Sequence, residues 1–337
     1  MTSRNEVFLI MPAINIKNLT KKFGKFTAVD SINLEIKEGE LFGLLGPNGA
    51  GKSTTLNMLA TMMIPTSGSA FVNNMEIVNQ DSVRRTIGMV FQDPSLDDEL
   101  TGRENLEFHG RMYHMQKDLR IKRIDEVLKL VGLEDKAKLQ IKTYSGGMKR
   151  RLEIARGLMH HPNILFLDEP TLGLDPQTRR GIWDYIQKLN EDEGLTIILT
   201  THYMEEADYL CDRIAIIDHG KIIALDTPEN MKNSMGGDIL KLETKESDNL
   251  DKILKFDWIK NKKKFEGYLN VTVKDGGSAI PDILKASSEA GIKIDSVHMI
   301  RPSLEDVFIH YTGRTIREQE ADTVDQMKSM MNQWGKK

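Results

Sequence analysis

The run GPNGAGKST, Gly46 to Thr54, limits what this chain can fold into more than any other stretch. It follows the apolar residues Leu41-Phe42-Gly43-Leu44-Leu45, a buried strand by composition, and precedes Leu56-Asn57-Met58-Leu59-Ala60, which reads as a helix. Gly46, Gly51, Lys52 and Ser53 meet the spacing G-x-x-x-x-G-K-[ST], and each residue type has a physical reason. Glycines let backbone N–H groups converge on phosphate oxygens, and the helix N-terminus adds its partial positive charge. Lys52 has the reach for the β- and γ-phosphates, and Ser53 is placed to ligate Mg²⁺. The alternative is a glycine turn that merely joins strand to helix. Lys followed by Ser at this register is seldom chance.

With 337 residues the chain is long for one domain and comfortable for two, so a large domain and a small one are expected. The 46 basic residues are outnumbered by 50 acidic ones, and no global basic field draws the protein to nucleic acid. The only cysteine, Cys211, has no partner within the chain, which fits a reducing compartment, with cytoplasm as the expected location. Runs such as Ile214-Ala215-Ile216-Ile217 and Ile164-Leu165-Phe166-Leu167 are strand-length, too short to span a bilayer. The opening MTSRNEVFLIMP lacks the features of a secretory signal, and Met11 is an alternative start.

Ahead of the glycine loop, Ile14, Ile16, Leu19, Val29, Ile32, Leu34 and Ile36 alternate with polar residues as half-buried antiparallel strands do. Phe23, at the turn between them, can stack on an adenine ring or plug the turn. Ile87 to Phe91 reads as a strand ending at Gln92, a residue able to bind an ion or a nucleotide or simply to sit in a loop. Thr101-Gly102-Arg103-Glu104 is a capping box, and Ile121 to Val131 carries a helical apolar face that stops at Gly132. Ser145 reads as an N-cap with Gly146 and Gly147 behind it, a second helix terminus fit for an anion. Asn163 to Leu167 is a buried strand delivering Asp168 and Glu169 at its C-terminal end, where open α/β sheets place their ligand chemistry. Two adjacent carboxylates there call for a cation or a proton to move. A helix from Gln177 to Asn190 follows Leu172-Gly173-Leu174-Asp175-Pro176, and the strand Thr196 to Thr201 ends at His202. The segments Arg213 to Asp218 and Lys221 to Leu225 flank a hairpin-like turn.

In this order the pieces resemble the ATP-binding subunit of ABC transporters, from about Ile14 to Pro228. GPNGAGKST is similar to the Walker A motif, Gln92 to the Q-loop, YSGGMKRR to the signature, ILFLDEP to Walker B, LGLD ending at Asp175 to the D-loop, and His202 to the H-loop. Phe23 takes the A-loop position. Ser145-Gly146-Gly147-Met148 with Arg150-Arg151-Leu152-Glu153, and Ser303 to Phe308 with Thr312-Gly313-Arg314, resemble the DrrA-like, drug-resistance type of exporter ATPase. Tyr144 stands where the signature usually has Leu, and Phe23 where Tyr often stacks on adenine.

The resemblance implies an α/β P-loop ATPase domain with a mixed-sheet core, an antiparallel β subdomain and a helical subdomain. It implies ATP and Mg²⁺ as ligands and a head-to-tail dimer that traps ATP between the Walker A of one subunit and the Ser145 terminus of the other. The implied nucleotide-binding residues are Phe23, Gly46, Pro47, Asn48, Gly49, Ala50, Gly51, Lys52, Ser53, Thr54, Ser145, Gly146, Gly147 and Asp175. Ser53, Gln92 and Asp168 would serve the metal, Glu169 would polarise the attacking water, His202 would hold the γ-phosphate, and Lys52 would neutralise charge. A separate transmembrane permease and a peripheral place on the inner face of the cell membrane are further implications. The competing class is a soluble ATPase of the same superfamily acting on nucleic acid or ribosomes. Its members carry a long coiled-coil insertion or two cassettes per chain, and this chain has neither.

The expected division is 13–229 for the ATPase, 238–313 for a small module and 314–337 for a helical tail. Asn230 to Gly237 reads as a polar linker. Ile239 to Leu242, Phe256 to Ile259, Tyr268 to Val273 and Ile292 to Met299 read as strands, with helices near Leu250 and from Ala279 to Ala290. The order βαββαβ suggests a ferredoxin-like α+β fold without catalytic residues. Lys260-Asn261-Lys262-Lys263-Lys264 reads as a solvated hairpin turn, the alternative being contact with anionic lipid or nucleic acid. Val324, Met327, Met331 and Trp334 form a helical stripe suited to packing on the protein itself, or otherwise to a partner or membrane surface.

Overall fold

Strands that are apolar at every position must be covered on both faces, and such strands form the centre of this fold. The computed structural model describes residues 12–244, 247–265 and 267–312. The chain divides into two compact units, one running to Leu225 and the other starting at Asp226. The stripe from Val324 to Trp334, Gly313-Arg314 and the alternative start Met11 lie outside the described residues.

In the first unit the hairpin β1 (Ile14–Phe23) and β2 (Phe26–Ile36) leads to β3 (Leu41–Leu45), which is buried throughout, and to α1 (Lys52–Leu59). There follow β4 (Ser67–Val72), β5 (Met75–Glu76), α2 (Gln80–Arg84) and β6 (Ile87–Val90). A helical portion comprises α3 (Gly102–Met112), α4 (Lys117–Leu130) and α5 (Gly146–Gly157). The chain then runs through β7 (Ile164–Asp168), α6 (Pro176–Glu193), β8 (Thr196–Thr201), α7 (Met204–Leu210), β9 (Arg213–Asp218) and β10 (Lys221–Asp226). Thr101 and Glu104 make the expected reciprocal cap of α3.

Two sheets result. One, in the order β2-β1-β4-β5, has antiparallel neighbours throughout, as the alternation of its apolar residues requires. The other, β10-β9-β3-β8-β7-β6, holds β9, β3, β8, β7 and β6 parallel. A shared core of Ile14, Val29, Phe42, Leu56, Met58, Phe166 and Ile198 lies between the sheets and α1. Register decides what the C-terminal edge presents: Leu45 pairs with Thr201, and Asp168 with Thr200. The glycine loop, the two carboxylates and His202 therefore leave the sheet side by side.

The second unit opens with α8 (Pro228–Ser234) and continues as β11 (Asp238–Glu243), α9 (Ser247–Ile253), β12 (Ile259–Phe265), β13 (Tyr268–Val273), α10 (Gly276–Glu289), β14 (Ser296–Ile300) and α11 (Leu304–Thr312). From β11 to β14 this is the expected βαββαβ order, with an antiparallel sheet β12-β13-β11-β14. Two readings need correction. Asn230 to Ser234 is helical because the Thr227 hydroxyl accepts the Asn230 N–H and Pro228 presets the first turn. The lysine-rich segment is strand β12, and most of Phe256 to Ile259 precedes it. As the sheet's edge, β12 tolerates a run of lysines that also discourages pairing with another chain.

Candidate active site

The glycine loop is shaped by contacts that no side chain would permit. A Cβ on Gly46 would lie 2.3 Å from the Ile217 carbonyl oxygen, and one on Gly51, where φ is 106°, would lie 2.4 Å from that of Ala28. Gly51 is also the N-cap of α1, so no side chain covers the first turn and its outward-facing N–H groups. Ala50 is tied to Pro47 by a 3.2 Å backbone bond, closing the turn through Asn48 and Gly49.

Lys52, 4% exposed, folds back under the loop, its Nζ donating to the carbonyls of Gly46 (2.8 Å) and Pro47 (3.0 Å). The same ammonium lies 3.3 Å from Glu169 Oε1. Ser53 donates its hydroxyl to Asp168 Oδ1 at 2.9 Å, and Thr200 donates to the same oxygen. The Thr200 hydroxyl in turn accepts the Glu169 N–H at 3.0 Å. Glu169 has φ 45°, a left-handed backbone uncommon for a residue with a side chain, and this aims its carboxylate away from the path of β7. Its Oε2 is 3.1 Å from His202 Nδ1, which must be the donor because an ionised carboxylate only accepts. Burial alone would raise the Glu169 pKa, but the His202 hydrogen bond and the Lys52 charge together hold it below the usual carboxylate range. A charged carboxylate is thus kept inside the fold. His202 itself rests against the Tyr203 ring, centroids 4.1 Å apart.

Of the residues expected at the site, Lys52, Ser53, Asp168, Glu169 and His202 are joined by these direct contacts. The others are distributed around them. Gln92 is exposed just past β6. Ser145 caps α5, its hydroxyl accepting the Met148 N–H, and with Gly146 it faces solvent. Asp175 caps α6 through Thr178, whose hydrogen bonds hold its carboxyl below the usual range. The two caps are neighbours, since a Cβ on Gly147 would meet Thr178 Cγ2 at 2.5 Å. Tyr144 is buried, its hydroxyl on the Lys136 carbonyl, so this departure from the usual signature faces away from the exposed cap. Phe23 is 47% exposed and pairs across the hairpin with Phe26, itself 54% exposed, so neither ring plugs the turn.

Sequence reasoning gave no role in the site to Thr200, which orients both carboxylate-bearing residues, or to Arg150 and Glu153, which entered only through the family resemblance. Their signals were faint: a threonine inside a strand of apolar residues, and charges in a helix that reads as partly solvated. Among the described residues no cluster of three or more His, Cys, Asp or Glu could hold a metal unaided. A hydroxyl and a carboxylate do suit a Mg²⁺ that takes its other oxygens from phosphates and water. The donor set as a whole, with an uncovered helix terminus, a buried ammonium and these oxygens, fits a nucleoside triphosphate with its metal.

Comparison with known proteins agrees with this chemistry. A family profile described as ABC transporter matches residues 29–172, and one described as ATP-binding protein DrrA1-3-like, C-terminal domain, matches 227–312. The daunorubicin resistance ATP-binding protein DrrA3 of Streptomyces coeruleorubidus is 38% identical over 313 residues, covering 92% of this chain and 98% of the relative. The linearmycin resistance ATP-binding protein LnrL of Bacillus subtilis is 39% identical over 311 residues, covering 90% and 100%. Among solved structures, the dimeric post-hydrolysis ATP-binding cassette MJ0796 bound to ADP and Pi has a TM-score of 0.57 at 35% identity, over 64% of this chain and 98% of that one. The cassette cbiO1 of Clostridium perfringens has a TM-score of 0.62 at 30% identity, over 65% and 90%.

Proposed function

The chain belongs to the DrrA-like ATP-binding subunits of ABC transporters, and on that premise we propose how its residues turn over ATP. It binds and hydrolyses ATP as the energy-supplying subunit of an exporter. The observation that carries the residue assignment is the buried chain Lys52–Glu169–His202 beside Ser53–Asp168–Thr200.

Lys52 exchanges its loop carbonyls for phosphate oxygens, with the amides of Gly49 to Thr54 beside it. Ser53 and Asp168, joined by Gln92, would hold Mg²⁺, and the ion would supply positive charge against the phosphates. Glu169, ionised at neutral pH, accepts a proton from or orients the attacking water, and His202 fixes the carboxylate through Nδ1. Phe23, with Phe26 beside it, offers an aromatic face for adenine. Ser145 and Gly146 are exposed at the start of α5, with Gly147 buried behind them, so this terminus serves a nucleotide held by a second copy, with Asp175 at the same surface. Two sites per dimer follow.

No helix among the described residues is long and apolar enough to cross a membrane. Membership of the exporter family supports our assignment of the transport path to a separate permease, which holds this subunit at the inner face of the membrane. A groove of about 620 Å³ on the first unit suits such a partner, with Phe108 and Met112 exposed along it. Arg156 Nε, buried there without a hydrogen-bond partner, favours an acceptor such as an acidic residue on the incoming segment, whereas His160, whose Nε2 donates to the Ile87 carbonyl, leaves Nδ1 as an acceptor.

Glu169→Gln tests the assignment. It keeps ATP binding, lowers turnover by about a hundredfold or more and leaves an ATP-dependent dimer visible by size-exclusion chromatography. Wild-type turnover in this variant would refute it.

A further inference from the structure

One turn into α5, behind its exposed glycine terminus, lies a buried ion pair that none of the roles above uses. The Arg150 guanidinium donates from Nε to the Pro170 carbonyl (2.7 Å), from Nη1 to that of Phe91 (2.6 Å) and from Nη2 to that of Asp168 (3.0 Å). Nη1 also meets Glu153 Oε2 at 3.0 Å. Glu153 is 1% exposed, and its Oε1 accepts the Ser95 N–H at 2.7 Å.

The pair thus gathers three segments. Phe91 and Ser95 bracket Gln92, Asp168 and Pro170 flank Glu169, and α5 carries Ser145. A planar guanidinium is suited to this work because its donors are fixed in one fork. Each carbonyl and each carboxylate oxygen is satisfied, so the network resists displacement of any one segment. An apolar pair would fill the same volume and hold none of them.

We infer that Arg150 and Glu153 are positioning residues that tie the hydrolytic carboxylate and glutamine of one nucleotide site to the helix terminus serving the other, and so transmit cooperativity between the two ATP sites. The inference rests on the dimer reading above, in which each subunit contributes to both sites. When Gln92 and Glu169 engage a nucleotide, the Arg150 fork carries their shift into α5, and the Ser145 terminus is set for the partner's nucleotide. Binding free energy at one site then favours the other, and the coupling is reciprocal.

The test compares full-length wild type with Arg150→Gln, Arg150→Lys and Glu153→Gln. It uses ATPase rate against ATP concentration, fluorescent-nucleotide binding to the dilute monomer, and dimerisation in the Glu169→Gln background. Wild type should show a Hill coefficient above 1, toward about 2. Arg150→Gln should bring it to about 1 and weaken dimerisation by about tenfold, with monomer affinity within about threefold of wild type. Lysine keeps the charge but not the fork and should recover part of the loss. Glu153→Gln keeps an acceptor for Ser95 and should also fall between, giving a second readout should Arg150→Gln not fold. A pair that only held the fold would lower monomer affinity and leave the Hill coefficient unchanged, which overturns the inference, as would wild-type cooperativity and dimerisation in both Arg150→Gln and Glu153→Gln. Glu169→Gln that binds ATP without dimerising would overturn the dimer reading itself, and this inference with it.

Discussion

The first unit withdraws Lys52, Arg150, Glu153, Asp168, Glu169 and Glu206 from solvent, whereas the only buried polar side chains among the described residues of the second are Thr244 and Ser287. Removing an ion from water costs several kcal/mol even after relaxation, so each of those charges needs an answer in the structure. Lys52 faces Glu169, Arg150 faces Glu153 and Asp168 accepts two hydroxyls, whereas Glu206 accepts Thr171 and Trp183 on one oxygen only and burial pushes its pKa up, toward the neutral acid. The second unit needs no such matching. Its core of Leu240, Leu242, Leu269, Val271 and Ile283 forms wherever two apolar faces meet. Burial serves chemistry in one unit and packing in the other.

Lys52→Met is the harshest way to test that contrast. It takes the cation from a buried carboxylate, at a cost of about 3 kcal/mol of stability for the pair, and removes the charge meant for phosphate. Turnover should fall by at least about a hundredfold, read by phosphate release, and the ATP-dependent rise in melting temperature should vanish. In the second unit, Leu240→Ala opens a cavity in the central strand β11 at a cost of about 3 kcal/mol. Hydrogen exchange should show the loss within residues 226–312, while monomer affinity for ATP stays within about twofold. A tenfold loss of affinity would break the division of labour between the units.

The same contrast sets what was legible in the sequence. Strands β3 and β7 are apolar at nearly every position, β8 has the apolar centre Ile197-Ile198-Leu199, and all three lead into polar motifs, so both the sheet and the residues at its edge could be read directly. Where polar residues do structural work, the reading failed. Thr227 and Pro228 start a helix in what looked like a linker, and the lysines of β12 are tolerated because that strand is an edge. Arg150 and Glu153 could not be recognised as buried, since their partners come from the end of β7 and the loops after β6 and β7, far off in sequence. Spacing along one helix says nothing of that.

The smallest expected effect concerns a titrating group that only the first unit has. His109 lies in the groove beside Tyr113, and its pKa is pushed down to about 4 by burial first and then by the charges of Arg156 and His160. The unfolded chain takes up this proton near the ordinary value of about 6.5, and the folded unit resists it. Below that pH the unfolded state binds more protons, so stability falls as pH drops from about 6.5 to about 4 and changes no further on this account. The full difference is worth at most about 3 kcal/mol, and because the ring keeps some exposure we expect about 2 kcal/mol. The two histidines of the second unit's described residues, His298 and His310, are both exposed. His109→Gln keeps a polar side chain without a titrating proton and should flatten the fall in melting temperature between pH 7 and pH 4.5. Residue-resolved hydrogen exchange should place that gain in stability around α3 and α5, not in residues 226–312. An unchanged pH profile would mean that the folded unit accommodates the His109 proton as readily as the unfolded chain does, and the groove would then be wetter than its burial implies.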